Sequence, residues 1–140
     1  LGDRLAHFAF ARERLSVLLH AARFSTVLET IPEGVTGAHP LFLNAAAVGD
    51  SDLQPGDFLT ALQSIETAAG RTRPAVLAPR TLDLDLILFG NMTIDEPGLT
   101  VPHPRFRERR FVLQPLAEIA PDLKDPVTGK TVSDLLVSAP

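Results

Sequence analysis

Asp83 and Asp85 stand one residue apart in the stretch Arg80-Thr81-Leu82-Asp83-Leu84-Asp85-Leu86-Ile87-Leu88-Phe89-Gly90. In an extended chain successive side chains alternate between faces, so the two carboxylates share a face, with Cα atoms roughly 6.5–7 Å apart. At that spacing they can converge on one divalent cation or on a pair. Leu84, Leu86 and Leu88 fall on the other face, and Ile87 and Phe89 continue the aspartate face into apolar surroundings. The pattern predicts a strand buried on both sides with acid only at its mouth. Carboxylates there are costly without a metal or a base, and Arg80 stands close enough in sequence to hold an anion beside the metal. Two solvated aspartates paired with arginines are the plain alternative. Context weighs against it, because Asp is disfavoured in strands and this pair adjoins an all-apolar run. Mg²⁺ prefers a few carboxylates completed by substrate phosphate oxygens. Arginines nearby supply phosphate-binding forks. Together these point to metal-assisted phosphoryl transfer.

Three further groups carry polar chemistry. Thr100-Val101-Pro102-His103-Pro104 holds a hydroxyl and an imidazole in a proline-stiffened loop, positioned either toward a phosphate or toward solvent. Arg105, Arg107, Arg109 and Arg110 follow within six residues. They cannot all point one way, so one or two are candidates for phosphate contact. Phe42 and Asn44 share a strand face, an aromatic platform beside an amide that suits a flat heterocycle; a core Phe next to a capping Asn would look the same. Gln63 and Glu66 share a helix face by their spacing, a pattern that a solvated polar face also produces.

The elements that must position these groups are short. Residues Asp3 to Ala22 read as an amphipathic helix, with Asp3 as N-cap and Leu5, Phe8, Ala9, Leu15, Leu18 and Leu19 as its apolar positions. Phe24 to Ile31 and Leu41 to Val48 read as strands around a loop rich in Gly and Pro. A helix starts near Pro55 and ends at Gly70. A loop runs from Arg71 to Pro79, then comes the acidic strand, a turn at Gly90-Asn91 and a short strand from Met92 to Ile94. Thr100 to Pro104 reads as a loop, and Phe111 to Ile119 and Val132 to Val137 as short helices. With one strand placed ahead of the first helix the order becomes β-α-β-β-α-β, the ferredoxin-like arrangement. The expected class is therefore α+β, a ferredoxin-like α/β sandwich with an antiparallel sheet whose first strand is missing from this chain.

The 140 residues, 45% of them apolar, suffice for one domain over 1–140 with a real core. A formal charge of −4 argues against a general nucleic-acid binder. No apolar run is long enough for a membrane span. The lack of cysteine excludes disulfide and thiolate chemistry and fits a reducing, cytoplasmic compartment.

Taken together, these motifs resemble the 6-hydroxymethyl-7,8-dihydropterin pyrophosphokinases of folate biosynthesis. The resemblance rests on Ala78 through Gly90, on Thr100 through Arg109 with Phe111 and Pro115-Leu116, on Phe42-Leu43-Asn44-Ala45, and on Gln63-Ser64-Ile65-Glu66 with Gly70-Arg71. It implies transfer of a diphosphoryl group from ATP to the pterin hydroxymethyl group, with release of AMP. By the same resemblance Asp83 and Asp85 hold two Mg²⁺ ions, and Arg80, His103 and Arg109 contact phosphates. Gln63, Glu66, Arg73, Leu86 and Thr100 line the nucleotide site. Phe42 and Phe111 sandwich the pterin, Asn44 bonds its edge, and backbone near Thr30 and Pro32 completes the pocket. Fusion or association with other folate enzymes is a further implication. The chain departs from the family pattern in the absent leading strand that ends in Gly-Ser-Asn, in Val76-Leu77-Ala78 where a basic residue and often Trp stand, in Gly98, and in Ile31 and Glu33. A pterin- or nucleotide-binding paralogue or partner domain with impaired catalysis is the alternative.

Overall fold

The computed structural model describes residues 2–30, 42–71 and 82–140. Helix α1 (Gly2–Leu18) is followed by strands β1 (His20–Phe24), β2 (Leu28–Thr30), β3 (Phe42–Asn44) and β4 (Ala47–Asp50). Helix α2 (Pro55–Arg71), hairpin β5 (Ile94–Glu96) and β6 (Leu99–Val101), a 3-10 turn (Phe106–Glu108), α3 (Arg110–Ile119) and α4 (Val132–Ser138) complete the order. All strand pairing among the described residues is antiparallel, so the class is α+β.

The two expected strands around residues 31–41 are each broken in two. β1 pairs with β4 up to Phe24↔Ala47, and β2 resumes on β3 at Leu28↔Asn44. Residues 25–27 thus face only 45–46, a bulge that shifts the register by one. Ser25 spans the gap: its N–H donates to Ala46 O at 2.9 Å, and its hydroxyl accepts from Ala46 N at 2.8 Å. β4 also continues to Asp50, past the glycine expected to end it. A Cβ on Gly49 would lie 2.9 Å from Leu19 Cβ and 3.1 Å from His20 O. The bare glycine therefore lets the chain leaving α1 at Leu19 and His20 lie directly on the strand.

Two apolar clusters sandwich this strand layer. Ala11 and Leu15 of α1 meet Phe58, Leu62, Ile65 and Ala69 of α2 on one side. The α2 residues recur at helical spacing and form one stripe. On the other side Phe106, Leu113, Leu116, Val132 and Leu135 gather from the 3-10 turn, α3 and α4. The layer feeds both clusters, since Ala47 packs with the first and Val48 with the second. No helix among the described residues is long and apolar enough to cross a membrane.

Several expectations need correction. α1 stops at Leu18 rather than Ala22, because His20 to Phe24 is taken into the β4 ladder; tertiary pairing overrides the helix preference of the alanines there. The helix begins at Gly2, which puts Asp3 in its first turn rather than at its cap. Its buried stripe runs His7, Ala11 and Leu15, while Leu5 is 46% exposed. α2 passes through Gly70 to Arg71. The strand expected at Met92 begins instead at Ile94, and the loop expected at Thr100 contributes Thr100 and Val101 to β6. Pro97-Gly98 makes the turn between β5 and β6, with Gly98 at φ +81°, in the left-handed region.

The largest correction concerns residues 82–89, which join no sheet ladder among the described residues. Leu82, Leu84 and Leu86 pack with the first cluster and Ile87 with the second, as alternation requires. The order then slips: Leu88 goes to the second cluster and Phe89 to the first, where Phe89 meets the edge of the Phe58 ring at 5.8 Å. Apolar alternation sets which side each residue buries, but a strand also needs a hydrogen-bonded neighbour.

Candidate active site

Because Leu82, Leu84 and Leu86 anchor in the α1–α2 core, the intervening Asp83 and Asp85 are turned the other way and are exposed. Between them, the Leu84 N–H donates to Glu66 Oε2 of α2 at 2.6 Å. The helix thus fixes the backbone that carries both aspartates. Among the described residues no group of three or more His, Cys, Asp or Glu is arranged to hold a metal. Two exposed carboxylates supply hard oxygen donors without a closed cage. That donor set fits Mg²⁺ completed by water and substrate phosphate better than a zinc or copper ion held by nitrogen or sulfur ligands.

The basic loop is tied to this segment through the backbone. His103 N–H donates to Ile87 O at 2.8 Å, two residues beyond Asp85. Burial pushes the His103 imidazole below its ordinary value. The Asp85 carboxylate pulls the other way, and Arg109 and Arg105 add to the lowering. His103, Asp85, Arg105 and Arg109 therefore share one electrostatic neighbourhood. The arginines of the cluster separate by role. Arg107 turns inward onto Asp125, with Nε at 2.5 Å and Nη2 at 3.0 Å. Arg110 donates to Leu136 O and Ala139 O, both at 3.4 Å. Arg109 lies 5.5 Å above the Phe111 ring, and its Nε is buried without a hydrogen-bond partner among the described residues. A guanidinium nitrogen without a partner among the described residues is a candidate donor to an anion, while the lowering of His103 favours its neutral ring.

A cavity of about 920 Å³ with a mainly apolar lining opens beside these groups. Asn44, Asp83, Asp85 and Phe111 all border it. Phe42 is 56% exposed on β3, opposite Thr30 in the register, and Asn44 Nδ2 donates to Thr30 Oγ1 at 2.6 Å. β3 packs against α3, whose first turn carries Phe111. Asn44 and Phe111 thus border the same cavity as the acidic pair, whereas Phe42 and Thr30 are not among its lining residues.

The family model for 7,8-dihydro-6-hydroxymethylpterin-pyrophosphokinase matches residues 1–121. The chain belongs to this family. A Pseudomonas aeruginosa 2-amino-4-hydroxy-6-hydroxymethyldihydropteridine pyrophosphokinase is 48% identical over 101 residues, 72% of this chain and 62% of that protein. A Methylorubrum extorquens protein of the same name is 39% identical over 138 residues, 97% of this chain and 85% of its own length. The mitochondrial folate synthesis bifunctional protein of Pisum sativum is 39% identical over 123 residues, 85% of this chain and 23% of that protein.

Of the residues expected to form the pyrophosphokinase site, Asp83, Asp85, His103 and Arg109 lie together, and Asn44 and Phe111 share the cavity wall with the two aspartates. Glu66 meets the acidic segment at Leu84 N, and Gln63 is exposed one turn earlier on α2. Leu86 packs with the first cluster while bordering the cavity. Thr100 is exposed on β6, opposite Asp95. Arg73, Arg80 and Pro32 lie outside the described residues. Two supporting contacts were not foreseen. Asp125 is fully buried beneath Arg107. Glu118 of α3 accepts from Thr26 N at 2.9 Å and Thr26 Oγ1 at 2.7 Å, which ties the hairpin bulge to the helix bearing Phe111. The Asp125-Pro126-Val127-Thr128-Gly129 run carried a sequence signal for the first, since Asp ahead of Thr and Gly favours a side-chain-stabilised turn. The Glu118 contact spans 92 residues and has no local signature.

Proposed function

We propose that the protein containing this chain transfers the diphosphoryl group of ATP to 6-hydroxymethyl-7,8-dihydropterin, giving AMP and the pterin diphosphate. One observation carries the reading: the His103 N to Ile87 O bond brings the basic loop, whose Arg109 Nε has no partner among the described residues, onto the segment that exposes Asp83 and Asp85. Asp83 and Asp85 would hold two Mg²⁺ ions on the ATP phosphates. Bound Mg²⁺ supplies charge neutralisation on the triphosphate as the β-phosphorus is attacked. Arg80, His103 and Arg109 bind phosphate oxygens, and Gln63, Glu66, Arg73, Leu86 and Thr100 line the nucleotide side. Phe42 and Phe111 stack on the pterin, Asn44 bonds its polar edge, and Thr30 and Pro32 close the pocket; stacking plus directed hydrogen bonds suits a flat polar ring. The pterin hydroxymethyl oxygen forms the new bond to the β-phosphorus. The bridging α–β bond breaks toward AMP, and the hydroxyl proton leaves to solvent.

The finer fold follows the same reading. Ala47–Asp50 of β4 and residues 82–92 both border the cavity; among the described residues β4 pairs only with β1, and residues 82–92 join no ladder. We infer that one further strand of the family fills this slot and completes a ferredoxin-like β-α-β-β-α-β sheet. Bifunctional relatives such as the Pisum sativum protein support fusion or association with other folate enzymes. Incubating the full-length protein with ATP, Mg²⁺ and the pterin alcohol should yield AMP and the pterin diphosphate in equal amounts. Formation of ADP, or binding of both ligands with no product, would replace this reading with a different kinase or with a binding paralogue.

A further inference from the structure

Asp125 lies outside the proposed site, yet its carboxylate accepts four hydrogen bonds. It is 0% exposed and accepts from Arg107 Nε and Nη2, from Val127 N at 3.0 Å and from Thr128 Oγ1 at 2.8 Å. Its own turn is closed by Asp125 N to Lys130 O at 2.9 Å and Gly129 N to Asp125 O at 2.8 Å, with Gly129 at φ +75°. The Arg107 guanidinium that it grips also lies 4.9 Å over the ring of Phe106, a fully buried member of the second cluster. Phe106 is bonded through its backbone to both groups of interest: its N–H donates to His103 O at 3.3 Å, and its carbonyl accepts from Arg109 N at 3.2 Å. Residues 103–109 are thereby pinned at one end to Ile87 and at the other, through Arg107, to Asp125.

A buried ion pair is weak evidence for stability, because apolar residues of similar volume often serve as well. A bidentate fork on a rigid turn does fix orientation. We propose that Asp125 is a positioning residue, which acts through Arg107 to aim Arg109 and His103 at the phosphate groups held by the acidic pair. The proposal rests on the phosphate-binding reading of Arg109 and His103. It assigns to the turn after α3 a part in nucleotide affinity and none in pterin affinity.

The test uses the full-length protein, with Asp125→Asn and the milder Arg107→Lys as variants. The readouts are KM for Mg·ATP, pterin affinity by fluorescence, and the His103 ring resonance by NMR. Both variants should raise KM for Mg·ATP about tenfold, leave pterin affinity within about twofold, and move the His103 resonance. In an Arg109→Ala background the Asp125→Asn effect on KM should largely vanish, because the two changes act through one path. A lower melting temperature with unchanged KM and an unchanged His103 resonance would reduce Asp125 to a structural anchor and overturn the proposal. An equal KM effect with and without Arg109 would do the same. If the wild-type protein binds no nucleotide, the phosphate reading falls on its own. The His103 resonance then decides whether Asp125 positions the loop.

Discussion

The acidic segment 82–89 and the turn 125–129 use the same side chain to opposite ends. In the turn one aspartate is fully buried, and every approach to its carboxylate is taken by protein donors. The Arg107 fork holds its carboxyl down at about 2, with Val127 N and Thr128 adding to the effect against the cost of burial. In the segment two aspartates are exposed, and it is the leucines around them that are anchored. A carboxylate whose donors are all internal organises a fold. Carboxylates that stay exposed on a backbone anchored by their neighbours can reach a ligand in solvent. The same division runs through the arginines, since Arg107 and Arg110 are engaged with the C-terminal elements while Arg109 keeps a buried nitrogen without a partner among the described residues.

The sharpest way to break the comparison is to remove one carboxylate from each region. Asp125→Ala removes the carboxylate that holds the partly exposed Arg107 fork and should cost about 2–3 kcal/mol in a urea unfolding experiment. Asp85→Ala should stay within about 0.5 kcal/mol of the parent. Equal losses would erase the distinction.

Acid titration gives a smaller effect with a defined sign. The folded Asp125 carboxyl lies near 2 against 3.8 when unfolded, so it contributes about 2 kcal/mol above the unfolded value. That contribution should be lost as pH falls from about 4 through 2, and Asp125→Asn should flatten this part of the stability profile. A profile that keeps its slope in the variant would assign the acid sensitivity elsewhere. Glu66→Ala should cost about 1.5 kcal/mol, because the Leu84 N–H loses its carboxylate. It should also weaken Mg·ATP binding by loosening the segment between the two aspartates; unchanged binding would mean that the leucine packing alone holds Asp83 and Asp85 in place. Thr131 caps α4 by accepting from Asp134 N at 3.1 Å, and Thr131→Ala should cost about 1 kcal/mol with nucleotide affinity unchanged.

Much of the candidate site was legible because its signals are local. The Asp-x-Asp spacing, the leucine alternation around it and the Pro-His-Pro loop each lie within a few residues, and the structure brings them together. The faces of Leu84 and Leu86 followed from period two, and the register failed only at Leu88-Phe89, where the Gly90 turn begins. Elements that depend on distant partners were less legible. His20 to Ala22 read as the end of a helix, because nothing local in His-Ala-Ala announces pairing with β4. The break at Ser25 needs Ala46 to be visible, and the grip of Asp125 needs Arg107. The β5–β6 hairpin is a different case, since Pro97-Gly98 carried a turn signal that its short flanking strands did not reinforce.

The central claim is that the exposed pair on the acidic segment holds the metal of an ATP-dependent diphosphoryl transfer. The most direct test measures AMP formation from ATP and the pterin alcohol by the full-length protein and by its Asp85→Ala variant, with unfolding followed in parallel. The expected result is a loss of at least about 10³-fold in kcat at an unchanged melting temperature, together with no turnover by the parent when Mg²⁺ is chelated. Full activity in Asp85→Ala, or undiminished turnover by the parent without Mg²⁺, would contradict it.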